Sequence, residues 1–224
     1  MAVVATDDAE ILARAGLFRA MGPELIEALA TEAEHRTLAR NDILFSEDDP
    51  AEELYVVIEG RIAIGKRGPD GRRSVVGVLE RGDLFGEMPL FDSRGRSLDA
   101  LALEPTELLA VPYPPVRMLL QETPELLWEV IALLTRWIRN ADEALADSVF
   151  LDVTGRTAKR LLDLSRDSDD FALPLTQEQL AGLVGASRER VNKTLATFIR
   201  LGWLAQEHGN YRILDRESLA RRAT

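Results

Sequence analysis

The sequence has no cysteine, only two histidines and no long apolar run among its 224 residues. The absence of cysteine excludes disulfides, thiol catalysis and iron–sulfur ligation. His35 and His208 lie far apart with no metal-ligand spacing around either, so both are expected to be surface or structural residues. No apolar stretch approaches the ~18 residues that a membrane span needs, and the acidic N-terminus lacks a signal-peptide pattern. We therefore expect a cytoplasmic protein with no membrane partner.

Positive charge is scarce, and it is unevenly distributed. The chain carries 27 Lys and Arg against 38 Asp and Glu, a net charge of −11. Residues 1–154 have 15 basic and 29 acidic side chains, whereas residues 155–224 have 12 and 9. Because an acidic surface is repelled by nucleic acid, only the mildly basic back part is expected to dock on DNA.

In the first half of the chain, the spacing of apolar residues changes once, from a helical pattern to short strand-like runs. Residues 10–34 place apolar side chains at helical spacing, whereas residues 36–112 contain short apolar runs separated by turn residues. No helical segment separates these runs, which argues against a parallel sheet and favours a sandwich or jelly roll. The predicted strands are Asp42–Phe45, Leu54–Ile58, Arg61–Lys66, Ser74–Leu79, Leu98–Leu103 and Leu108–Val111.

A heptad pattern predicts a long helix from Thr123 that pairs with a second copy of the chain. Its apolar positions step alternately by three and four residues, which is typical of a parallel coiled-coil seam. The alternative is that this stripe packs only on its own barrel. Leu126, Leu133 and Leu145 supply a second flank for that barrel, so both contacts can coexist. Gly155 is expected to end the helix and to act as a hinge. The seam residues are Leu127, Val130, Leu134, Trp137, Ala141, Ala144, Ser148 and Leu151.

Two short helices joined by a glycine-containing turn are predicted near the C-terminus. Thr176 and Gln179 form a capping box that opens the first helix, and Ser187 caps the second. The segments Trp203–Gln206 and Asn210–Leu214 follow as a β-hairpin wing around the turn at residues 208–210. This is the layout of a winged helix-turn-helix, a motif that reads DNA.

The second of these helices has one apolar and one charged face. Arg188 can contact O6 and N7 of guanine, and Glu189 can accept from N4 of cytosine. A solvated charged face is the alternative, but the turn, the caps and the wing argue against it. The core side is expected to be Val191, Leu195, Phe198 and Ile199. The DNA-contacting residues are expected to be Thr176, Gln177, Ser187, Arg188, Glu189, Asn192 and Lys193.

A candidate anion pocket lies in the strand-rich part, where Gly86-Glu87-Met88 is followed by Arg96-Ser97. Gly86 lets backbone amides approach an anion, Arg96 offers a fork for a phosphate and Ser97 a hydroxyl. Glu87 can accept hydrogen bonds from a ribose. Taken alone, these residues fit a surface turn with an Arg–Glu ion pair better than they fit an anion site.

Three segments in order resemble one family. Residues 84–91 with Arg96 and Ser97 resemble the phosphate-binding cassette of cyclic-nucleotide-binding domains. Residues 150–156 resemble the hinge, and residues 175–189 the helix-turn-helix, of the cyclic-AMP receptor protein (CRP/FNR) family. The resemblance spans about residues 10–222. It implies an α+β architecture: a jelly-roll cyclic-nucleotide-binding domain over 1–122, a dimerisation helix and hinge over 123–152, and a winged helix-turn-helix over 153–224.

The resemblance also implies partners and a ligand. It implies an allosteric homodimer that binds palindromic double-stranded DNA, with RNA polymerase as a further partner and cyclic AMP as effector. Gly86, Glu87, Met88, Arg96 and Ser97 would hold ribose and phosphate.

Two positions on the dimer helix depart from the family's cyclic-AMP sensors, which have uncharged polar residues there to bind the adenine. Here they are Ala141, which cannot donate, and Asp142, which when ionised can only accept. Asp48-Asp49 likewise replaces a glycine of an earlier turn. Cyclic AMP is therefore the first expectation, with weak binding, another nucleotide or effector-free DNA binding as alternatives.

Two other classes of function are compatible with parts of the sequence. The carboxylates Asp83, Glu87 and Asp92 could do acid–base work, but no nucleophile–base pair or metal constellation accompanies them. A nucleotide-sensing adaptor that does not bind DNA would lack the charged helix face seen here. We therefore expect a DNA-binding regulator and no enzyme.

Overall fold

The computed structural model describes residues 2–68, 73–166, 168–173, 175–207 and 210–224. This described part divides into two compact units, one of residues 1–66 with 77–138, the other of residues 67–76 with 139–224. His208 and the predicted wing turn around Gly209 lie outside the described residues.

The chain up to residue 150, which holds the first unit together with residues 67–76 and 139–150 of the second, begins with helices and continues with short strands. Pro23 occupies the first turn of the second helix, where its missing amide hydrogen is not needed. The elements are α1 (Ala2–Arg14), a 3-10 helix (Gly16–Ala20), α2 (Pro23–Glu32), β1 (Glu34–Leu38), β2 (Ile43–Phe45), β3 (Glu53–Glu59), β4 (Ile62–Arg67), β5 (Arg73–Leu79), β6 (Leu84–Phe85), α3 (Met88–Asp92), β7 (Asp99–Ala102), β8 (Thr106–Pro112), α4 (Tyr113–Glu122), a 3-10 helix (Pro124–Leu126) and α5 (Leu127–Phe150).

Within the described residues the strands form two four-stranded sheets, β1-β8-β3-β6 and β2-β7-β4-β5. The strand pairs among the described residues are antiparallel, with Tyr55 opposite Ala110 in the central β3–β8 pair. These layers confirm the predicted jelly roll. All six predicted strands are present, but β1, β6 and the helix α4 were not predicted.

Both central strands are buried on both faces, which explains their continuous apolar sequences. In β3, Leu54 and Val56 join the core under the helices, while Tyr55 and Val57 join the core between the sheets. Because successive side chains of a strand point to opposite faces, β3 connects the two cores. β6, which pairs with β3, leads directly into the loop at Gly86 that positions the candidate pocket.

His35 on β1 has a structural environment, as the sequence predicted for it. Its Nδ1 lies 2.8 Å from Oε1 of Glu107, and its Nε2 lies 2.9 Å from Oδ1 of the buried Asp8. Hydrogen bonding to Glu107, opposed by burial and supported by Asp8, raises the pKa of the imidazole. In the part of the chain that the structure describes, no group of three or more His, Cys, Asp or Glu is placed to hold a metal ion.

The structure corrects the register of the apolar seam on α5. Val130 is buried and Leu134 is partly buried against the core of the first unit, so neither is free to pair with a second helix. Leu126 and Leu133 are buried as the second flank requires, whereas Leu145 is 65% exposed. Five exposed apolar side chains lie one residue further on than seam positions, at steps of three, seven, seven and four residues: Trp128, Ile131, Ile138, Leu145 and Val149.

The second unit contains the predicted helix-turn-helix and its wing. Its three-stranded antiparallel sheet has the order β10-β11-β9 among the described residues. β9 was not predicted from the sequence. The elements are α6 (Val153–Ser165), β9 (Asp170–Ala172), α7 (Gln177–Val184), α8 (Arg188–Arg200), β10 (Leu204–Glu207), β11 (Asn210–Ile213) and α9 (Arg216–Arg222).

The predicted role of Gly155 as the helix breaker is wrong. The break falls at Leu151 and Asp152, and Gly155 lies inside the first turn of α6. Asp152 is the cap, because its Oδ1 accepts from the Gly155 amide at 2.8 Å. Gly155 is instead a close-approach residue, since an added Cβ would lie 3.0 Å from the carbonyl oxygen of Arg222 on α9.

Among the described residues, no helix combines the length and the apolar composition needed to cross a membrane.

Candidate functional site

Arg96 is the buried cation of the candidate pocket, with only 4% of its surface exposed. Its Nη1 donates to the carbonyl oxygen of Gly86 at 2.7 Å, and its Nη2 donates to that of Glu53 at 2.9 Å. Nη1 also lies 3.3 Å from the hydroxyl of Tyr113, which itself donates to the Gly86 carbonyl. These carbonyls orient the guanidinium but carry no full charge to neutralise it, so the site remains attractive to an anion.

Aromatic rings form the floor beneath this guanidinium. The Cζ atom of Arg96 lies 4.2 Å from the ring centroid of Phe45 and 5.3 Å from that of Tyr55. Phe85 completes the group, with its centroid 5.3 Å from that of Tyr55. Cation–π attraction offsets part of the cost of removing Arg96 from water. It also leaves the edge of the guanidinium free for hydrogen bonding.

Two polar atoms at this site have no hydrogen-bond partner among the described residues: Nε of Arg96 and Oε2 of Glu87. Buried polar groups are nearly always paired, so an unpaired donor and an unpaired acceptor in the same cassette mark a place for a ligand. The donor suits a phosphate oxygen and the acceptor suits a sugar hydroxyl. The arrangement can therefore bind a molecule that presents an anion next to a hydroxyl group.

Gly86 is required by the geometry of the pocket. Its φ of 78° lies in the left-handed region, which costs glycine little. An added Cβ would lie 2.6 Å from Nη1 of Arg96 and 3.3 Å from Cδ2 of Tyr55. A side chain here would push the guanidinium out of place.

Asp48 supports the segment that carries Arg96. Its amide donates to the Arg96 carbonyl at 2.8 Å, and the Arg96 amide donates to the Asp49 carbonyl at 3.0 Å. Asp48 adopts a φ of 67°, the left-handed conformation that a glycine would occupy without strain. The neighbouring Gly95 is needed because an added Cβ would lie 2.6 Å from the Asp48 carbonyl oxygen.

Glu87 is almost fully buried, and burial raises its pKa to about 7, opposed by hydrogen bonds from its own amide and that of Met88 and by the charge of Arg96. The raised value means that the folded protein holds a proton at pH values where the unfolded chain has lost it.

We expect Glu87→Gln to flatten the dependence of stability on pH. A carboxyl whose folded-state pKa is raised contributes stability that is fully present below its ordinary value of 4.5 and is lost as the pH rises through about 7. Glutamine cannot ionise, so the wild type should lose more melting temperature than the variant across this window. Circular dichroism melts measure the difference, and comparing the two proteins cancels the titration of groups such as His35. Exposed Glu59→Gln is the control, and identical profiles for wild type and Glu87→Gln would contradict the prediction.

The remaining cassette residues lie at the surface. Met88 is 42% exposed and Ser97 is also exposed, with the Ser97 hydroxyl donating to the Met88 sulfur at 3.4 Å. The structure thus brings all five cassette residues together, with Arg96 and Glu87 inside and Met88 and Ser97 at the rim.

In the second unit, α7 and α8 form the predicted helix-turn-helix. Thr176 caps α7 in a complete capping box with Gln179, and Ser187 caps α8 by accepting from the Arg190 amide at 3.4 Å. Gly185 ends α7 with a φ of 69°, which provides the turn between the helices.

The two faces of α8 separate almost as predicted. Val191, Leu195 and Phe198 are buried, but Ile199 is 39% exposed and Thr194 takes its place inside. The hydroxyl of Thr194 donates to the Arg190 carbonyl at 3.0 Å, which satisfies it within the helix. Of the predicted DNA-contacting residues, the structure leaves five exposed: Thr176, Ser187, Arg188, Glu189 and Lys193.

Two of the predicted DNA contacts, Gln177 and Asn192, are half-buried and bonded to each other. Nδ2 of Asn192 donates to Oε1 of Gln177 at 2.9 Å. Nη2 of Arg188 lies 3.4 Å from the same oxygen. Asn192 was predicted to reach DNA directly, and here its amide group is bonded within the helix-turn-helix.

Family models match both parts of the chain. The cyclic nucleotide-binding domain matches residues 35–123, and the Crp-like helix-turn-helix domain matches residues 155–222. A curated relative from Mycobacterium tuberculosis, a CRP-like cAMP-activated global transcriptional regulator, is 38% identical over 221 residues, which is 96% of this chain and 99% of the relative. The chain belongs to the cyclic-AMP receptor protein (CRP/FNR) family.

Other CRP/FNR relatives agree. The cyclic AMP receptor protein of Thermus thermophilus is 32% identical, with 80% of this chain and 83% of the relative covered. Among solved structures, FixK2 from Bradyrhizobium japonicum has a TM-score of 0.79 at 22% identity, covers 86% of this chain and 98% of its own, and supports the fold alone. The c-di-GMP responsive regulator CLP from Xanthomonas campestris has a TM-score of 0.73 at 27% identity, covering 86% and 99%.

As a CRP/FNR member, the chain is a DNA-binding transcription regulator with a cyclic-nucleotide-binding domain, and it is not an enzyme.

Several residues of the CRP/FNR pocket were missed from the sequence. Phe45, Tyr55 and Tyr113 surround Arg96, and burial raises the pKa of Tyr113 to about 12, so its hydroxyl stays protonated and donates. The available signal for Phe45 and Tyr55 was an aromatic residue on an apolar strand, and Tyr113 begins the helix α4. An aromatic residue on a strand does not distinguish a pocket floor from an ordinary core.

The residues that depart from the family pattern lie elsewhere in the chain. Ala141 and Asp142 are exposed on α5, in the second unit. Asp142 falls in line with Ile138, Leu145 and Val149 at helical spacing, so a carboxylate interrupts the exposed apolar stripe.

Proposed function

We propose that this chain is a homodimeric, sequence-specific transcription regulator whose binding to palindromic DNA is controlled by cyclic AMP. The observation that carries the effector is that the cassette holds a buried, unpaired donor, Nε of Arg96, and a buried, unpaired acceptor, Oε2 of Glu87. A cyclic nucleotide presents a singly charged phosphate next to a ribose hydroxyl, which matches this donor–acceptor pair.

In this proposal residues 1–122 bind the nucleotide, residues 123–152 dimerise and residues 153–224 bind DNA. Ser97 and the backbone at Gly86 and Met88 complete the phosphate and ribose contacts. Ala141 and Asp142 would face the base.

The dimer assignment is supported by α5. Five large apolar side chains on one face of the helix are between 49% and 72% exposed, an arrangement that a soluble monomer rarely keeps. Pairing two such helices in parallel buries this face and places two recognition helices about one DNA turn, roughly 34 Å, apart. Two-fold symmetry of the protein then requires a palindromic site.

Control by the ligand follows from linkage. Cyclic AMP raises the affinity for DNA only if it binds the DNA-competent conformation more tightly than the other. Contacts from the nucleotide to α5 near Asp142, together with the break at Leu151 and Asp152, give the route by which the second unit is reoriented. The DNA-bound dimer would recruit RNA polymerase in the cytoplasm.

The identity of the effector is open to a specific alternative, because Asp142 adds a negative charge where a nucleotide phosphate is also negative. A relative described as c-di-GMP responsive supports the view that this fold accepts other nucleotides. Calorimetric titration with cyclic AMP, cyclic GMP and c-di-GMP, each repeated with a selected palindromic duplex, tests the proposal. Saturable cyclic-AMP binding that tightens DNA binding supports it. Binding of another nucleotide only, or unchanged DNA affinity with every nucleotide, contradicts cyclic AMP as the effector.

We expect Arg188→Ala to reduce specific DNA binding by about 1–3 kcal/mol and to relax the preference at one base pair, because a bidentate contact to guanine is lost. Fluorescence anisotropy at fixed salt, with the selected site and a scrambled duplex, measures both affinities. Arg190→Ala is the matched control, since Arg190 is also exposed on α8 and a phosphate contact from it would change both affinities alike. An unchanged ratio of the two affinities in Arg188→Ala would contradict base reading by this residue.

A further inference from the structure

Three polar side chains meet across the turn between α7 and α8. Oε1 of Gln177 lies 2.9 Å from Nδ2 of Asn192 and 3.4 Å from Nη2 of Arg188. Arg188 and Asn192 are four residues apart on α8, so they share one face of that helix. One oxygen of α7 therefore accepts from two successive turns of α8.

The oxygen is held in place by its own helix. Gln177 is the first residue of α7, directly after the cap Thr176. The Thr176 amide donates to Oε1 of Gln179 at 2.8 Å, and the Gln179 amide donates to the Thr176 hydroxyl at 3.2 Å. This reciprocal box fixes the backbone on which Gln177 stands. Gln177 is half-buried, whereas Arg188 is exposed.

Asn192 holds the carboxamide of Gln177 from the other side. Its Nδ2 makes the shorter of the two hydrogen bonds to Oε1, while its own Oδ1 has no partner among the residues that the structure describes. Asn192 therefore acts here as a donor to Gln177. With this bond made, Oε1 still has a second lone pair that can accept from Nη2 of Arg188 at 3.4 Å.

Arginine has a long side chain, and ordering it on DNA costs conformational entropy that must be deducted from the binding free energy. Its planar fork also has to match the O6 and N7 atoms of guanine in orientation, not only in position. A fixed acceptor that already orders one nitrogen in the free protein reduces the ordering cost and limits the orientations of the fork.

We propose that Gln177 is a positioning residue for base recognition, which orients Arg188 through its carboxamide oxygen. The proposal rests on the assignment of Arg188 as a base reader under the proposed function. It differs from the role expected from the sequence, in which Gln177 contacts DNA itself. A direct phosphate contact would strengthen binding to every sequence equally, whereas positioning of Arg188 changes the preference at one base pair.

Gln177→Met tests this, because methionine keeps the length and the helix propensity of glutamine but removes the acceptor. Because Gln177 and Arg188 share one polar network, Gln177→Met should weaken the preference at the base pair read by Arg188 by about fivefold to tenfold. In the Arg188→Ala background the same change should cost less than about twofold, since the residue it positions is gone. Anisotropy with the selected duplex and its single-base-pair variants measures both cycles.

Gln177→Glu provides the rescue. The carboxylate keeps an oxygen acceptor for Arg188 and Asn192, so the base preference should be retained. The added negative charge lowers affinity for all duplexes alike through the DNA phosphates. Gln121→Met on α4, an exposed glutamine of the first unit, is the matched control and should change neither quantity. Circular dichroism melts confirm that each variant is folded.

The outcomes distinguish positioning by Gln177 from base reading by Arg188. Loss of preference in Gln177→Met that disappears in the Arg188→Ala background, with rescue by Gln177→Glu, supports positioning. An equal loss on every duplex, or the same loss of preference in Gln177→Glu, overturns it while base reading by Arg188 stands. An unchanged preference in Arg188→Ala alone overturns both the base-reading assignment and the positioning of Arg188.

Discussion

Replacing Arg96 by alanine is expected to weaken cyclic-nucleotide binding severely. The bound phosphate would sit against a buried guanidinium whose other nitrogens are already committed to the carbonyls of Gly86 and Glu53. Removing one partner of a buried, hydrogen-bonded charge pair costs about 2–5 kcal/mol, which is roughly thirtyfold to several-thousandfold in Kd. Calorimetric titration with cyclic AMP measures the loss.

Two further variants separate the fork from the charge. Arg96→Lys keeps a positive charge but cannot span both carbonyls and the ligand from one planar group, so its binding should be intermediate. Arg94→Ala, at an exposed residue two positions away, should bind as the wild type does. Since Tyr113 also holds the Gly86 carbonyl, the Arg96→Ala pocket should remain folded. A folded Arg96→Ala protein with an unchanged Kd would show that the nucleotide binds elsewhere.

Replacing Ile138 by glutamate is expected to convert the dimer to monomers and, with it, to remove high-affinity binding to a palindromic site. Ile138 is 62% exposed at the middle of the apolar stripe on α5. Pairing two helices through this face would bury one new carboxylate from each copy without a counter-charge, at a cost of several kcal/mol. Sedimentation velocity over a range of concentrations measures the monomer fraction.

Arg136→Glu is the control for this experiment. Arg136 is exposed on the side of α5 opposite Ile138 and the change alters the charge by more, yet it should leave the dimer intact. A dimeric Ile138→Glu protein would mean that the stripe is not the interface. Monomers of both variants would mean that charge alone, and not the face that carries it, controls association.

The long helix illustrates what periodicity can and cannot predict. Its existence and its two apolar sides followed from the sequence, because apolar residues at steps of three and four must share a face. The choice between the stripe of Val130 and Leu134 and that of Ile131 and Ile138 did not follow. Both stripes are apolar and lie one residue apart, and only the position of the barrel determines which is covered.

Two of the missed strands share a physical cause, and the missed helix α4 has another. β1 and β9 lie at the edges of their sheets, where polar sequences are tolerated and no apolar alternation marks a strand. α4 begins with Tyr113 followed by two prolines, a pattern that usually marks a turn but is also compatible with the first turn of a helix. Local patterns therefore missed these polar edge strands, whereas the apolar edge strands β2 and β5 of the other four-stranded sheet were predicted.

The candidate pocket was predictable where its chemistry is local in sequence. Gly86, Glu87 and Arg96 lie within eleven residues of one another, so they could be recognised together as a candidate anion site, which the resemblance to the family's cassette then favoured. Phe45 and Tyr55 come from strands about forty or more residues earlier, and only the fold brings their rings under the guanidinium. The raised pKa of Glu87 is likewise a consequence of burial, which residue types do not specify.

The ion pair between Arg222 and Asp152 makes the segment after α5 vulnerable to trimming at the far end of the second unit. Asp152 caps α6 and its pKa is lowered mainly by the Gly155 amide and further by Arg222. A trypsin-like protease that cut after Arg221 would remove the guanidinium, leaving the cap with its backbone bonds alone. Limited proteolysis of this last turn would therefore act on the junction of α5 and α6 without touching the nucleotide or the DNA.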